Sequence, residues 1–415
     1  MAIMHVDANS AYLSWTAVKL LEEGYGEDIR EIPSAVAGDP KNRHGIILAK
    51  SIPAKKYGVR TGESLFEARR KCPALQVFPH DFSLYMSFSD EMYRIISEYS
   101  PVVQRYSVDE CFLDYSGSEK KFGDPVACAH EIKDRIRGEL GFTVNIGVSS
   151  NKLLAKMASD FQKPDRVHTL FPEEIRGKMW PLPVEDLFMV GRRTAKKLRS
   201  INLNTIGDLA GADPSLLRRL LKSHGEVIWR YANGIDDSPV VPDGEIPQKG
   251  VGNSTTVGHD VCSAEEAHRV LLALTERVGQ RLRRMKKFAC VVSVSITTSD
   301  FLRYGHQLRL ETATDSTSEI YRHVKQLFDE AWRGEKIRHL GVALSELSAE
   351  CEVRMSLLSP DDRETDRAAD DAVDRIRQRF GEGAIVRGTF VNREIEPLQG
   401  GIRGGNYIMM GGKKS

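Results

Sequence analysis

Tyr106-Ser107-Val108-Asp109-Glu110-Cys111-Phe112-Leu113-Asp114 sets two adjacent carboxylates between apolar, β-prone runs. Neighbouring side chains in mid-strand point to opposite faces of a sheet, so Asp109 and Glu110 can serve one site only from a strand end or a hairpin tip. Buried carboxylates repel one another, and grouping them is costly unless a cation offsets the charge. Working outward, Ile3-Met4-His5-Val6 is a second short apolar run, and it ends abruptly in a third acid, Asp7. Three carboxylates at strand ends along one sheet edge suit two Mg²⁺ ions, the arrangement used for in-line phosphoryl transfer. Taken alone, Asp-Glu also fits an ordinary polar hairpin turn. The rest of the chain decides between the two.

Around that edge the pattern alternates. Residues 1–16 read as a strand then a helix, and residues 76–165 as helix 83–98, the acid hairpin, helix 124–138, strand 143–148 and helix 151–160. This alternation predicts an α/β (α+β) fold, with a mixed or antiparallel sheet carrying helices. Residues 17–75 form a smaller segment, with glycines at 24, 26, 38, 45, 58 and 62 and short apolar strands such as Ile46-Ile47-Leu48. After Lys163-Pro164-Asp165 the character changes to short helices over 166–236, and Pro239, Pro242 and Pro247 mark a linker over 237–249. Residues 250–350 read as a second α/β module: strand 250–257, helix 263–284, strands 290–297 and 306–310, helix 316–332 and strand 341–347. The tail, 351–415, carries a charged helix near 361–380, a short strand near 384–390 and a glycine-rich, disordered end with Lys413-Lys414. A chain of 415 residues exceeds what one core organises.

At 41% hydrophobic and 28% charged residues, the composition is that of a soluble globular protein. No apolar run approaches the ~18 residues that span a membrane, and the N-terminus lacks a charged-then-apolar signal, so a cytoplasmic location is expected. The six cysteines include no Cys-x-x-Cys pair, which argues against a structural zinc or a disulfide framework. The net charge of +1 says little, but its distribution is uneven. Arg192, Arg193, Lys196, Lys197 and Arg199 form one block without an acid; Arg281, Arg283, Arg284, Lys286 and Lys287 form another. Separate basic blocks suit a polyanion held at several points, although each block alone equally fits a solvated helix face.

Together, His5-Val6-Asp7-Ala8-Asn9-Ser10-Ala11-Tyr12, Ser107-Val108-Asp109-Glu110 and Asn151-Lys152-Leu153-Leu154-Ala155-Lys156-Met157-Ala158-Ser159-Asp160 resemble, in order and spacing, the Y-family (lesion-bypass) DNA polymerases. The resemblance covers residues 1–350. It implies a palm over 1–16 and 76–165, small fingers over 17–75, a helical thumb over 166–236 and an extra DNA-binding (little finger) domain over 250–350. It implies that Asp7 and Asp109 bridge two Mg²⁺ ions, that the Ala8 carbonyl lends a further oxygen, and that Glu110 ligates the ion activating the primer 3′-hydroxyl. Tyr12, five residues after Asp7, would lie against the sugar of the incoming nucleotide and exclude a 2′-hydroxyl as a steric gate; the plainer alternative is a core tyrosine. Lys156 and Lys55 would meet the triphosphate. In Ser51-Ile52-Pro53-Ala54-Lys55, Ile52 and Lys55 stand where many relatives carry tyrosine and arginine, which weakens that contact without changing the reaction class.

Glu185 to Leu198, followed by Ile206-Gly207-Asp208-Leu209, reads as a helix-hairpin-helix. Backbone N–H groups at its Gly191 turn would face a DNA phosphate, with Arg192, Lys196 and Lys197 neutralising the neighbours. Arg283 and Arg284 would hold DNA from the second module. Arg354-Met355-Ser356-Leu357-Leu358 resembles a degenerate sliding-clamp-binding peptide, with Met355, Leu357 and Leu358 as its anchors. The expected partners are therefore primer-template DNA, deoxynucleoside triphosphates and the sliding clamp, with no membrane and a monomeric chain. The implied activity is template-directed DNA synthesis of low fidelity and processivity across damaged templates. A catalytically inactive, DNA-bound repair adaptor is the alternative; such a relative would have lost one of Asp7, Asp109 and Glu110, and all three are present. A nucleotide cyclase on a similar palm leaves the helix-hairpin-helix and the second basic module unexplained.

Overall fold

The structure is a computed structural model and describes residues 2–39, 45–242, 244–349 and 362–391. Its twelve strands are β1 Ile3–Ala8, β2 Ser34–Ala37, β3 Ile47–Lys50, β4 Gln76–Pro79, β5 Val103–Arg105, β6 Glu110–Asp114, β7 Val144–Ser149, β8 Val167–Thr169, β9 Gly250–Val261, β10 Phe288–Thr298, β11 Arg303–Thr314 and β12 Ile337–Ser348. They make three sheets, in a chain that divides into two compact units near Ile246. The expected α+β class holds.

The first unit is organised by a five-stranded sheet of order β5-β6-β1-β7-β8. β1 is central and buried along its whole length, antiparallel to β6 and β7. One face of the sheet, with Met4, Val6, Cys111, Leu113, Ile146 and Val148, packs on helices Ala11–Glu22, Phe82–Ser97 and Pro125–Leu140. The other face carries Ile3, His5 and Asp7 beside Phe112, Glu110 and Asn145, as the register requires. Helix Lys152–Ser159 lies on this second face, and Gly147 lets it come close: a Cβ there would sit 1.9 Å from the Ala155 carbonyl oxygen. That approach brings a lysine on the helix down to the strand-end acids.

Two smaller parts complete the unit. A three-stranded sheet, β3-β2-β4, packs with helix Leu65–Lys71 around Ala35, Ile47, Ala54, Val59 and Leu65. Short helices from Ile175 to Ala232 enclose a third core of Leu170, Met179, Leu198, Leu209, Leu217 and Ile228. Two expected boundaries move. Helix Ala11–Glu22 runs through residue 16, because its apolar residues Leu13, Trp15, Ala17 and Val18 form one continuous core face. The expected linker at 237–249 begins as packed chain: Val240 is buried with Ile3, Phe112 and Ala155, and Lys152 donates to the Pro239 carbonyl at 3.2 Å.

The second unit is an antiparallel sheet of order β11-β10-β12-β9. Helices Ala264–Arg284 and Thr317–Ala331 cover the face bearing Val251, Val292, Val294, Leu340, Val342 and Leu344. The opposite face includes rows of mostly small residues, Gly252–Ala343–Ser293–Gln307 and Ser254–Gly341–Ser295–Gly305. The charged helix Asp362–Phe380 docks back on this unit. Asp370 accepts from the Thr317 N–H at 2.7 Å and from Arg283 at 3.1 Å, and Asp374 accepts from Arg283 at 2.7 Å. The strand expected near 384–390 is instead a turn followed by the 3₁₀ turn Gly388–Phe390, with Phe390 packed on Leu272 and Ala273. The clamp-like peptide with Met355, Leu357 and Leu358, and the glycine-rich end, lie outside the described residues.

Candidate active site

β1 ends at Ala8 and β6 begins at Glu110, and their register places Asp7 directly opposite Glu110. The Ala8 N–H donates to the Asp109 carbonyl at 2.9 Å, locking the hairpin tip onto the end of β1. Asp7, Asp109 and Glu110 thus share one sheet edge, as the sequence implies. Ser107 fixes the tip by donating its hydroxyl to Asp109 at 2.5 Å.

Burial raises Asp7 to about 7, against the pull of Lys163, and raises Asp109 above the usual carboxylate range, against Ser107. Burial pushes Glu110 up too, but the His5 ring and the Lys156 ammonium outweigh it and hold it at about 2. Lys156 Nζ lies 2.9 Å from both Glu110 oxygens. Lys163 is ion-paired with Asp7 and reaches Asp160 at 2.8 Å. Among the described residues no three His, Cys, Asp or Glu side chains form a ready metal cage. Three acids face two lysines, and the remaining negative charge with its oxygen donors fits a hard divalent cation whose other ligands come with a phosphate substrate.

Lys156 has a further partner that its sequence does not announce. The sequence reading gives it to the triphosphate, yet it is buried and engaged by Glu110, because Gly147 draws its helix onto the sheet. Lys163 is the cation that reading missed, having treated Lys163-Pro164-Asp165 only as a boundary. Two asparagines hold its loop. Asn9 Oδ1 accepts from the Asp165 N–H at 2.9 Å, and Asn145 Nδ2 donates to the Ser159 and Gln162 carbonyls at 3.0 and 2.7 Å. His5 lies fully buried beneath Glu110, 3.6 Å from it, and bonds Ser159 at 2.8 Å. Burial holds His5 at about 4 and hence neutral, with Glu110 pulling the other way.

Tyr12 is the second residue of helix Ala11–Glu22. Its ring stacks on Tyr85 at 4.4 Å with 5° between planes and meets the edge of Phe82 at 6.0 Å. It is a partly buried, rigid wall. Lys55 is exposed on helix Ile52–Lys56 and adds to the burial that lowers Lys50.

The expected DNA contacts divide. Gly191 caps helix Arg192–Arg199, and Arg192, Lys196 and Lys197 are exposed on it. The hairpin closes through the Val184 N–H to the Asn204 carbonyl at 2.9 Å. Arg284 is exposed, whereas the Arg283 side chain is held between Asp370, Asp374 and Thr317.

Residues 6–160 match the impB/mucB/samB family model, and residues 248–357 match that of the family's C-terminal domain. A curated relative, "DNA polymerase IV" of Clostridium acetobutylicum, is 46% identical over 94% of this chain and 98% of its own. "DNA polymerase IV 2" of Bacillus subtilis is 35% identical over 98% of each. Among solved structures, a Y-family DNA polymerase chimera of Dbh and Dpo4 matches with a TM-score of 0.73 over 84% of this chain and all of its own, at 19% identity. An insertion ternary complex of Dbh DNA polymerase matches with a TM-score of 0.59 over 84% of this chain and all of its own, also at 19% identity. Among the described residues no helix is long and apolar enough to cross a membrane.

Proposed function

The chain belongs to the impB/mucB/samB family, the Y-family DNA polymerases, and from that premise we propose that it extends primers on damaged templates by two-metal nucleotidyl transfer at the Asp7–Asp109–Glu110 edge. The observation that carries this reading is the convergence of the three acids on one sheet edge, with Lys156 and Lys163 as their ammonium partners among the described residues. Asp7, Asp109, Glu110 and the Ala8 carbonyl would hold Mg²⁺, two per site, which supplies charge neutralisation and activation of the primer hydroxyl when bound.

The chain's own groups prepare that site. Lys156 keeps Glu110 ionised and oriented. Lys163 neutralises Asp7, and its ammonium would be free for a triphosphate where a cation held Asp7. Lys55 adds a second, exposed positive charge for phosphate. Tyr12, braced by Tyr85, cannot swing aside for a 2′-hydroxyl and so selects deoxyribonucleotides. The sheet edge acts as palm, β2–β4 as fingers, the hairpin at Gly191 as a thumb that grips phosphates without reading sequence, and the second unit as an additional DNA holder.

With all three acids present, the adaptor alternative has no observation in its favour. Primer extension on undamaged and damaged templates, with and without Mg²⁺, tests the proposal. Template-directed, Mg²⁺-dependent extension through lesions supports it, and DNA binding without any extension contradicts it.

A further inference from the structure

The hairpin joining β10 to β11 carries Phe301 and Leu302 at its tip, 72% and 67% exposed and outside the unit's apolar core. Thr298 closes the turn: its N–H donates to the Leu302 carbonyl at 2.9 Å, and its carbonyl accepts from the Phe301 N–H at 3.0 Å. Phe301 sits at φ 62°, the left-handed position that such three-residue loops normally give to glycine or asparagine. A bulky side chain there is an outlier. Backbone strain and exposed apolar area thus fall on one residue, and no core packing repays either. Strain of this kind persists where function requires it.

The surroundings indicate the ligand. The Arg338 guanidinium lies 5.0 Å from the Phe301 ring centroid. The Ser299 N–H donates to the Lys336 carbonyl at 2.8 Å, which fixes the tip beside exposed Lys336, and exposed Arg303 follows directly. Of the acids nearby, Asp300 lies in the turn and Glu335 is engaged by the Tyr304 hydroxyl at 2.9 Å. Two side chains on a hairpin tip are too small an area to anchor a protein partner. A flat ring backed by a guanidinium suits a nucleobase, and the neighbouring cations suit its phosphates.

We propose that Phe301 and Leu302 form a stacking platform for an unpaired base of single-stranded DNA, with Arg303, Lys336 and Arg338 meeting the backbone. The proposal rests on the DNA-polymerase reading, and wild-type primer extension in the same preparation checks that reading separately. The test compares wild-type protein with Phe301→Gly, which relieves the strain, and with Phe301→Trp, which keeps a stacking surface. Fluorescence anisotropy measures binding to a blunt duplex and to the same duplex with a template overhang of about ten nucleotides. The expected result is that Phe301→Gly weakens overhang binding roughly five-fold or more, leaves blunt-duplex binding and thermal stability undiminished, and that Phe301→Trp restores the affinity. Unchanged overhang affinity, an equal loss on both DNAs or a loss of thermal stability would overturn the proposal. So would a defect confined to clamp-stimulated extension.

Discussion

The carboxylate edge of the first unit and the open sheet face of the second ask opposite things of a sequence. At the edge, function depends on a few named side chains at close distances: Asp7 opposite Glu110, Lys156 within 2.9 Å of both Glu110 oxygens, and Gly147 allowing a backbone contact no other residue permits. On the open face the rows Gly252–Ala343–Ser293–Gln307 and Ser254–Gly341–Ser295–Gly305 are mostly small residues, which leaves a flat surface. The first region tolerates almost no change. The second is as strict only at its glycines, where a Cβ at Gly305 would sit 2.3 Å from the Val294 carbonyl oxygen.

Mutation can break that contrast directly. Gly147→Ala forces a Cβ into the Ala155 carbonyl and should lower the stability of the first unit by more than about 3 kcal/mol, whereas Ser293→Ala on the open face should cost less than about 1 kcal/mol. Thermal unfolding of the full chain measures both, and similar costs would erase the distinction. Arg283→Met sharpens it from the other side, because this arginine is engaged by Asp370 and Asp374 within the second unit. Removing it leaves buried Asp370 with only the Thr317 N–H and half-buried Asp374 without its cation, at a cost of about 3 kcal/mol, with DNA affinity per folded molecule unchanged. A stable variant with weakened DNA binding would return Arg283 to the interface.

Smaller effects are expected where rigidity or exposed charge is at stake. Tyr12→Ala should raise ribonucleotide use relative to deoxyribonucleotide use by about tenfold or more, roughly 1.4 kcal/mol, as read from single-nucleotide incorporation. Unchanged sugar discrimination would make Tyr12 a core residue stacked on Tyr85 and nothing more. Neutralising Lys196 and Lys197 should flatten the salt dependence of duplex binding by about one to two units, equally for all sequences. A sequence-dependent loss would contradict phosphate contact at the Gly191 hairpin.

Much of this was legible in the chain and some was not, for physical reasons. Period-two and helical patterning located the longer strands and helices but not β2, β4, β8 or helix Leu65–Lys71, and the strand-end acids followed from apolar runs bounded by carboxylates. The acid partners of Lys156 and Arg283 were not legible, because a cation's pairing depends on which acid the fold brings to it, and those acids lie 46, 87 and 91 positions away. Lys163 and Asn9 act through contacts spanning 156 residues, and His5 through one spanning 154, so no local pattern announces them. Phe301 was missed because an exposed aromatic in a turn becomes informative only once its backbone conformation is known.

The central claim is that the Asp7–Asp109–Glu110 edge performs nucleotidyl transfer while DNA is held elsewhere. Asp7→Asn, Asp109→Asn and Glu110→Gln, each assayed for primer extension and for primer-template affinity in one preparation, test it most directly. The account predicts that each variant extends at less than about a tenth of the wild-type rate, at least 1.4 kcal/mol of lost transition-state stabilisation, with DNA affinity within about twofold of wild type. A variant that retains extension, or that loses extension and DNA binding together, would contradict it.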